Sequence, residues 1–266
     1  MSFEHQGFLS RDMDGFRVAV RGQRPTKSWF ELADDLNRLG LDMLNAHETP
    51  LDDNARLLIA AFFVRAHKSF QAALILAERG LTGDANAVLR SAVEGAIALH
   101  ALAADPGFVQ TLIGAHRFNQ QKLARVVLNN AEYRATYSAE QIAQMEATIK
   151  EVDALKADTA TRPTDINWAD IAQEYCQDLY QLLYRLLSTN GTHTNIDAAN
   201  NQFEIDKSGR ITGLKARPDY DGLVETLKSG CLVFLYAADP FARAFPRDGI
   251  TDRIQAGIEA VGRLIS

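Results

Sequence analysis

Arg90 and Glu94 stand one helical turn apart in the stretch DANAVLRSAVEGAIALHALAAD, residues 84–105, and are its only interior charges. Side chains four residues apart on a helix share a face and can pair, although Arg ahead of Glu is the weaker order for a surface pair. The rest of the stretch is apolar nearly all the way round, so neighbouring helices are expected to enclose the pair. Taking two ions out of water is costly, and an enclosed pair therefore marks either a contact that fixes helix register or a ligand site. If it is enclosed, Glu94→Ala costs about 3 kcal/mol or more.

A proton carrier stands later in the chain. His193 lies in the polar loop TNGTHTNID, which follows a helix bearing Tyr184 and Ser188. An imidazole titrating near neutrality can act as general acid or base, and it can equally serve a turn. With Arg90 holding a phosphate, a neutral His193 could take a proton from a ribose hydroxyl, the chemistry of a metal-independent nuclease. His67 sits on an apolar helix face with Gln71 one turn on, which suits a hydrogen-bonded core histidine or a ligand group. The expected pocket is lined by Arg90, Glu94, Tyr184, Ser188 and His193, with His67 as a further ligand-binding candidate.

No metal and no cofactor are expected. The six histidines show no close ligand spacing, and the phosphate-loop, dinucleotide, H-E-x-x-H, paired C-x-x-C and G-x-S-x-G signatures are all missing. Cys176 and Cys231 are too few for a disulfide framework, which makes a reducing cytoplasm the default. Against 34 acidic residues stand 28 Lys and Arg, a net charge of -6, the wrong sign for a protein that coats nucleic acid. The first residues lack the apolar run of a secretory signal, and no membrane-spanning stretch is read, so a soluble cytoplasmic protein is expected.

The elements that must position these residues are helices. Residues 1–25, punctuated by glycine, read as an irregular arm. An amphipathic helix follows Thr26, with Gly40 as its weak point, and a long apolar helix runs from about Asp53 to Arg79. Gly80 is a stop signal, and Thr82 to Asp84 supply a new start, so this helix and the Arg90 helix form an antiparallel hairpin. Asp105-Pro106-Gly107 breaks the second arm. Phe108 to Asn130 gives another helix, and Ser138 to Asp158 a more polar one, opened by a Ser138–Gln141 capping box. Its thin apolar stripe suits an interface, which suggests a homodimer. Asn167 caps a helix that carries Tyr184 and Ser188. Phe203 to Leu214 reads as a β-hairpin turning at Gly209. Tyr220 to Ala238 and Asp248 to Leu264 are the last helices, the first ended by Asp239-Pro240. The fold class is all-α, a single helical domain over 1–266 with long antiparallel helices and a small hairpin insertion at 203–214.

The stretch RAHKSFQAALILAERGLTGDANAVLRSAVEGAIAL, with a later Y-R-L-L-S-x-x-x-x-H-x-N, resembles a widespread bacterial family of helical proteins of unknown function. The likeness covers residues 54–102 and 179–195. It implies a shared pocket in which Arg90 and Glu94 come from one helix and Ser188 and His193 follow a second. The chain also distantly resembles helical HEPN-type ribonucleases, which pair an Arg that holds phosphate with a His that moves a proton. In those proteins the two are closer in sequence than Arg185 and His193, which have seven residues between them, and a polar residue commonly stands where this chain has Leu186. Arg90 would then have to take the place of Arg185. Two functions are carried forward: a binding or regulatory protein for an unidentified ligand or protein partner, and a metal-independent HEPN-like ribonuclease using Arg90 and His193.

Overall fold

The computed structural model describes residues 2–45, 52–155, 164–189, 199–200 and 202–266. It is an all-α bundle carrying one small antiparallel hairpin. The chain divides into two compact units, 1–104 with 172–266, and 105–171. The larger unit opens with α1 (Phe3–Gln6), a 3-10 turn (Gly7–Leu9), α2 (Met13–Gly22), α3 (Thr26–Asn45), α4 (Asn54–Ala77) and α5 (Thr82–Ala104). The smaller holds α6 (Phe108–Asn129), α7 (Ala131–Arg134) and α8 (Ala139–Leu155). After α9 (Trp168–Tyr175) come a π-helical turn (Leu179–Tyr184), α10 (Arg185–Thr189), β1 (Phe203–Ile205), β2 (Ile211–Leu214), α11 (Leu223–Ala244) and α12 (Ile250–Ile265).

The α4–α5 hairpin is the spine of the larger unit. Asp53 caps α4 by accepting the Arg56 N–H at 3.0 Å, and Gly80, at φ +75°, ends it as the Leu81 N–H reaches back to the Leu76 carbonyl at 3.0 Å. α11 packs against both arms, and α3 and α12 pack on α11. Aromatic rings fill the centre: Phe63 stacks on Phe241 at 4.2 Å, and Phe70 lies 5.1 Å from Phe234. By length and composition α4 and α5 could each cross a membrane; here they pair with one another and with α11.

The N-terminal stretch departs from the expected irregular arm. α2 is amphipathic and buries Met13 and Val20. Arg21 Nε donates to the buried Glu78 carboxylate at 2.7 Å and its Nη1 to Asp34 at 3.0 Å, while Arg79 Nη1 donates to the Phe8 carbonyl at 2.9 Å. Docking onto the end of α4 supplies the order that local propensity lacks.

Two further departures have physical causes. Pro240 does not end α11, which continues to Ala244. Proline leaves the carbonyl four residues earlier without its helical donor. That carbonyl belongs to Tyr236, and His100 Nε2 of α5 donates to it at 3.0 Å. The helix carrying Tyr184 is also not continuous, since α9 ends at Tyr175 and a π-helical turn precedes α10. Its start is as expected, with Asn167 Oδ1 accepting the Ala169 N–H at 3.1 Å. The hairpin pairs Phe203 with Leu214 and Glu204 with Gly213, and Gly209 turns it at φ +83°.

In the smaller unit the capping box is formed: the Gln141 N–H donates to Ser138 Oγ at 3.2 Å, and the Ser138 N–H to Gln141 Oε1 at 2.9 Å. α8 lies along α6 and buries Val152, and the buried Gln121 donates to the Ile149 carbonyl at 3.2 Å and to Asp153 at 2.8 Å. Of the stripe expected to serve an interface, Val152 is buried within the unit, and Ile142, Met145, Ile149 and Leu155 are half-buried.

His67, which is buried, and His100, which is half-buried, make stability depend on pH. Burial depresses the pKa of His67 and, more than its carbonyl bond restores, that of His100, where Arg243 also lowers it and Asp239 raises it. Both take up a proton less readily in the folded chain than in the unfolded one, which titrates near pH 6.5, so stability is whole above that value and falls as pH drops below it. The melting temperature is expected to be lower at about pH 5 than at neutrality, with the difference reduced in His67→Gln and His100→Gln.

Candidate functional site

One face of α5 carries Asn86, Arg90 and Glu94, spaced four residues apart and therefore stacked along the helix. The π-helical turn brings Tyr184 against this face. Arg90 Nη2 donates to the Tyr184 hydroxyl at 2.7 Å, and that hydroxyl donates to Glu94 Oε1 at 3.3 Å. The guanidinium also lies over the Tyr184 ring at 4.9 Å, and Tyr180 stacks on Tyr184 at 4.7 Å. Arg90 and Glu94 approach each other directly only at 3.8 Å, so the phenol is the bridge between them.

The pair is half-buried, not enclosed: the Arg90 side chain is 22% exposed and that of Glu94 31%. Water screens such a pair, and Glu94→Ala is expected to cost about 1 kcal/mol instead of the 3 or more of an enclosed one. Tyr184→Phe breaks both hydrogen bonds of the bridge and is expected to cost about 1–2 kcal/mol. Urea unfolding of the two variants tests this order, and a larger loss in Glu94→Ala would contradict it.

The other sequence-predicted residues divide. Ser188 turns its hydroxyl onto the Tyr184 carbonyl at 2.6 Å. His67 is a core residue: Nε2 donates to Asn37 Oδ1 at 2.9 Å, Gln71 Nε2 donates to the same oxygen at 2.9 Å, and the ring stacks on Phe63. These contacts tie α4 to α3. His193 lies outside the described residues. No grouping of three or more His, Cys, Asp or Glu suited to a metal occurs among the described residues.

One helical turn before Arg90, Asn86 lines a cleft of about 540 Å³. The cleft sits where α5 and α11 begin, walled by the α4–α5 turn, residues 215–222 and α10. Thr226 and Ser229, each only 3% exposed, line it from the first turns of α11. Among the described residues, the shielded Asn86 Oδ1 and Arg90 Nε find no hydrogen-bond partner. Residues 215–222 are docked on the turn by the Asp219 N–H, which donates to the Gly80 carbonyl at 3.0 Å. Thr226, Ser229 and Lys215 escape a sequence reading, because two hydroxyls three residues apart in an apolar helix look like ordinary helix positions. The only signal was that both fall on one face of a helix that buries almost everything else.

No curated protein and no solved structure matches the chain. Residues 56–211 match a family model, and the stretch includes Asn86, Arg90, Glu94, Tyr184 and the hairpin's first strand. The chain belongs to DUF5677, a family of unknown function.

Proposed function

We propose that this protein binds a small polar ligand in the cleft at the head of α5 and α11, in a binding or regulatory role without chemistry of its own. The observation that carries this reading is the presence of buried polar groups, Thr226 and Ser229, with the Asn86 side chain, along one open cleft. Buried polar groups are normally satisfied, so hydroxyls and a carboxamide gathered along a void fit a place that a ligand or water completes. The Arg90–Tyr184–Glu94 bridge then holds the π-helical turn, and with it α10, against α5 as one wall of the cleft.

The ribonuclease reading is less favoured, because the Arg90 guanidinium is engaged by Tyr184 with a carboxylate 3.8 Å away, an environment that weakens its hold on phosphate. A cytoplasmic location accords with Arg65 and Lys68, exposed near the middle of α4, where a bilayer would exact several kcal/mol. The test is equilibrium dialysis of the whole chain against the small-molecule fraction of a cell extract, with mass spectrometry of what is retained. A compound retained by the wild type and lost in Thr226→Val/Ser229→Ala is expected. Identical profiles for the two would refute the reading.

A further inference from the structure

The ligand class follows from the charges that line the cleft, given the binding role proposed above. Lys215 Nζ lies 2.8 Å from Asp219 Oδ2 and 3.7 Å from Asp221 Oδ2, and the hydrogen bond to Asp219 is the chief cause of its raised pKa. Arg217 is held by Glu4 at 2.8 Å. Both lining bases are therefore neutralised, while Asp84 and Asp221 leave negative charge on the rim. An anion such as phosphate would meet that excess with the cations already engaged. A cation placed deep in the cleft would meet the positive ends of the α5 and α11 dipoles.

What remains inside is neutral and hydrogen-bonding: the Asn86 carboxamide and the Thr226 and Ser229 hydroxyls, with the Phe8 ring among the lining residues. Thr226 and Ser229 stand three residues apart on α11 and share its face. Phe8 is fixed in place, its carbonyl accepting from Arg79 and its ring edge-on to Phe3 at 5.5 Å. We propose that the cleft takes a neutral ring carrying vicinal hydroxyls, that is a sugar, either free or as the ribose of a nucleoside. Each sugar hydroxyl both donates and accepts, so one can bond the Asn86 carboxamide while its neighbours exchange hydrogen bonds with Thr226 and Ser229. The rim carboxylates accept from the outer hydroxyls, and the Phe8 ring offers an apolar face to the sugar's C–H groups.

Saturation-transfer NMR on the full chain tests this with D-ribose, D-glucose and adenosine as probes, and inorganic phosphate and putrescine as charged competitors. Transfer to the sugar-ring protons of at least one probe is expected, unaffected by either competitor. Adenosine alone would assign a nucleoside, and ribose or glucose a free sugar. Thr226→Val/Ser229→Ala, checked for an unchanged circular dichroism spectrum, should weaken binding by about tenfold or more. Transfer that survives in this variant would place the sugar elsewhere and overturn the proposal. Absence of transfer to all three sugars would also overturn it. If the wild type still retained a compound from the cell extract that the variant did not, the binding role would stand with a different ligand class, and if it retained none, both would fall.

Discussion

Gly80→Val is expected to lower stability by about 3 kcal/mol or more and to abolish ligand retention by the cleft. Gly80 sits at φ +75°, where any side chain is strained by about 1–2 kcal/mol and a β-branched one by more. A Cβ there would also lie 2.7 Å from Pro218 Cβ and 2.8 Å from the Asp219 backbone nitrogen. The obstacle is backbone, which cannot rotate away as a side-chain tip can. Residues 218–219 would have to lift, breaking the Asp219 N–H bond to the Gly80 carbonyl, and residues 215–222 form one wall of the cleft. Gly209→Val is the matched control: it shares the left-handed backbone, at φ +83°, but its Cβ meets nothing within 4 Å. That variant should show the conformational cost alone, about 1–2 kcal/mol, with binding intact. Urea midpoints and retention assays on both separate the two effects. Equal losses in the two variants would mean that the Pro218–Asp219 contact contributes nothing.

The α4–α5 hairpin was legible because its signals are local: an apolar run, a glycine stop and a fresh capping segment lie within thirty or so residues. The same holds for the Ser138–Gln141 box and the turn at Gly209. The docking of α2 was not legible, since it depends on Arg21 meeting Asp34 on the next helix and Glu78, which is 57 positions away. Nor was the passage of α11 through Pro240. A proline normally signals an end, and the donor that replaces its missing bond comes from His100, on another helix. Of the candidate site, the α5 stripe of Arg90 and Glu94 could be read from spacing, while the role of Tyr184 as their bridge needed the π-helical turn that aims it. The cleft was the least legible part. Its walls come from Phe8, residues 80–86, 186–187, Gln202 and 215–229, and no pattern within any one of these stretches announces that they meet.

Gly40 sets two sequence-level rules against each other, and Gly40→Ala and Gly40→Val decide between them. Inside an exposed helix, replacing glycine by alanine gains about 1 kcal/mol, which is why Gly40 reads as a weak point of α3. In the folded chain a Cβ at this position would lie 2.8 Å from His67 Cδ2 and Nε2 and 2.9 Å from Phe234 Cε2. Neither ring is free to give way. His67 is tied to Asn37 and stacked on Phe63, and Phe234 is held between Phe63 and Phe70. Overpacking a filled core costs about 1–3 kcal/mol, so Gly40→Ala should destabilise by about 1 kcal/mol despite its better propensity. Gly40→Val adds two more methyl groups, forfeits the propensity gain and should cost about 3 kcal/mol. The mechanism has a signature that a general loss of stability lacks. If the collision is with the imidazole, truncating that ring relieves it, and Gly40→Val should cost measurably less in a His67→Ala background than in the wild type. Denaturant unfolding of the four proteins in that cycle gives the coupling directly. Strictly additive losses, or a Gly40→Ala variant more stable than the wild type, would show that α3 does not press on His67.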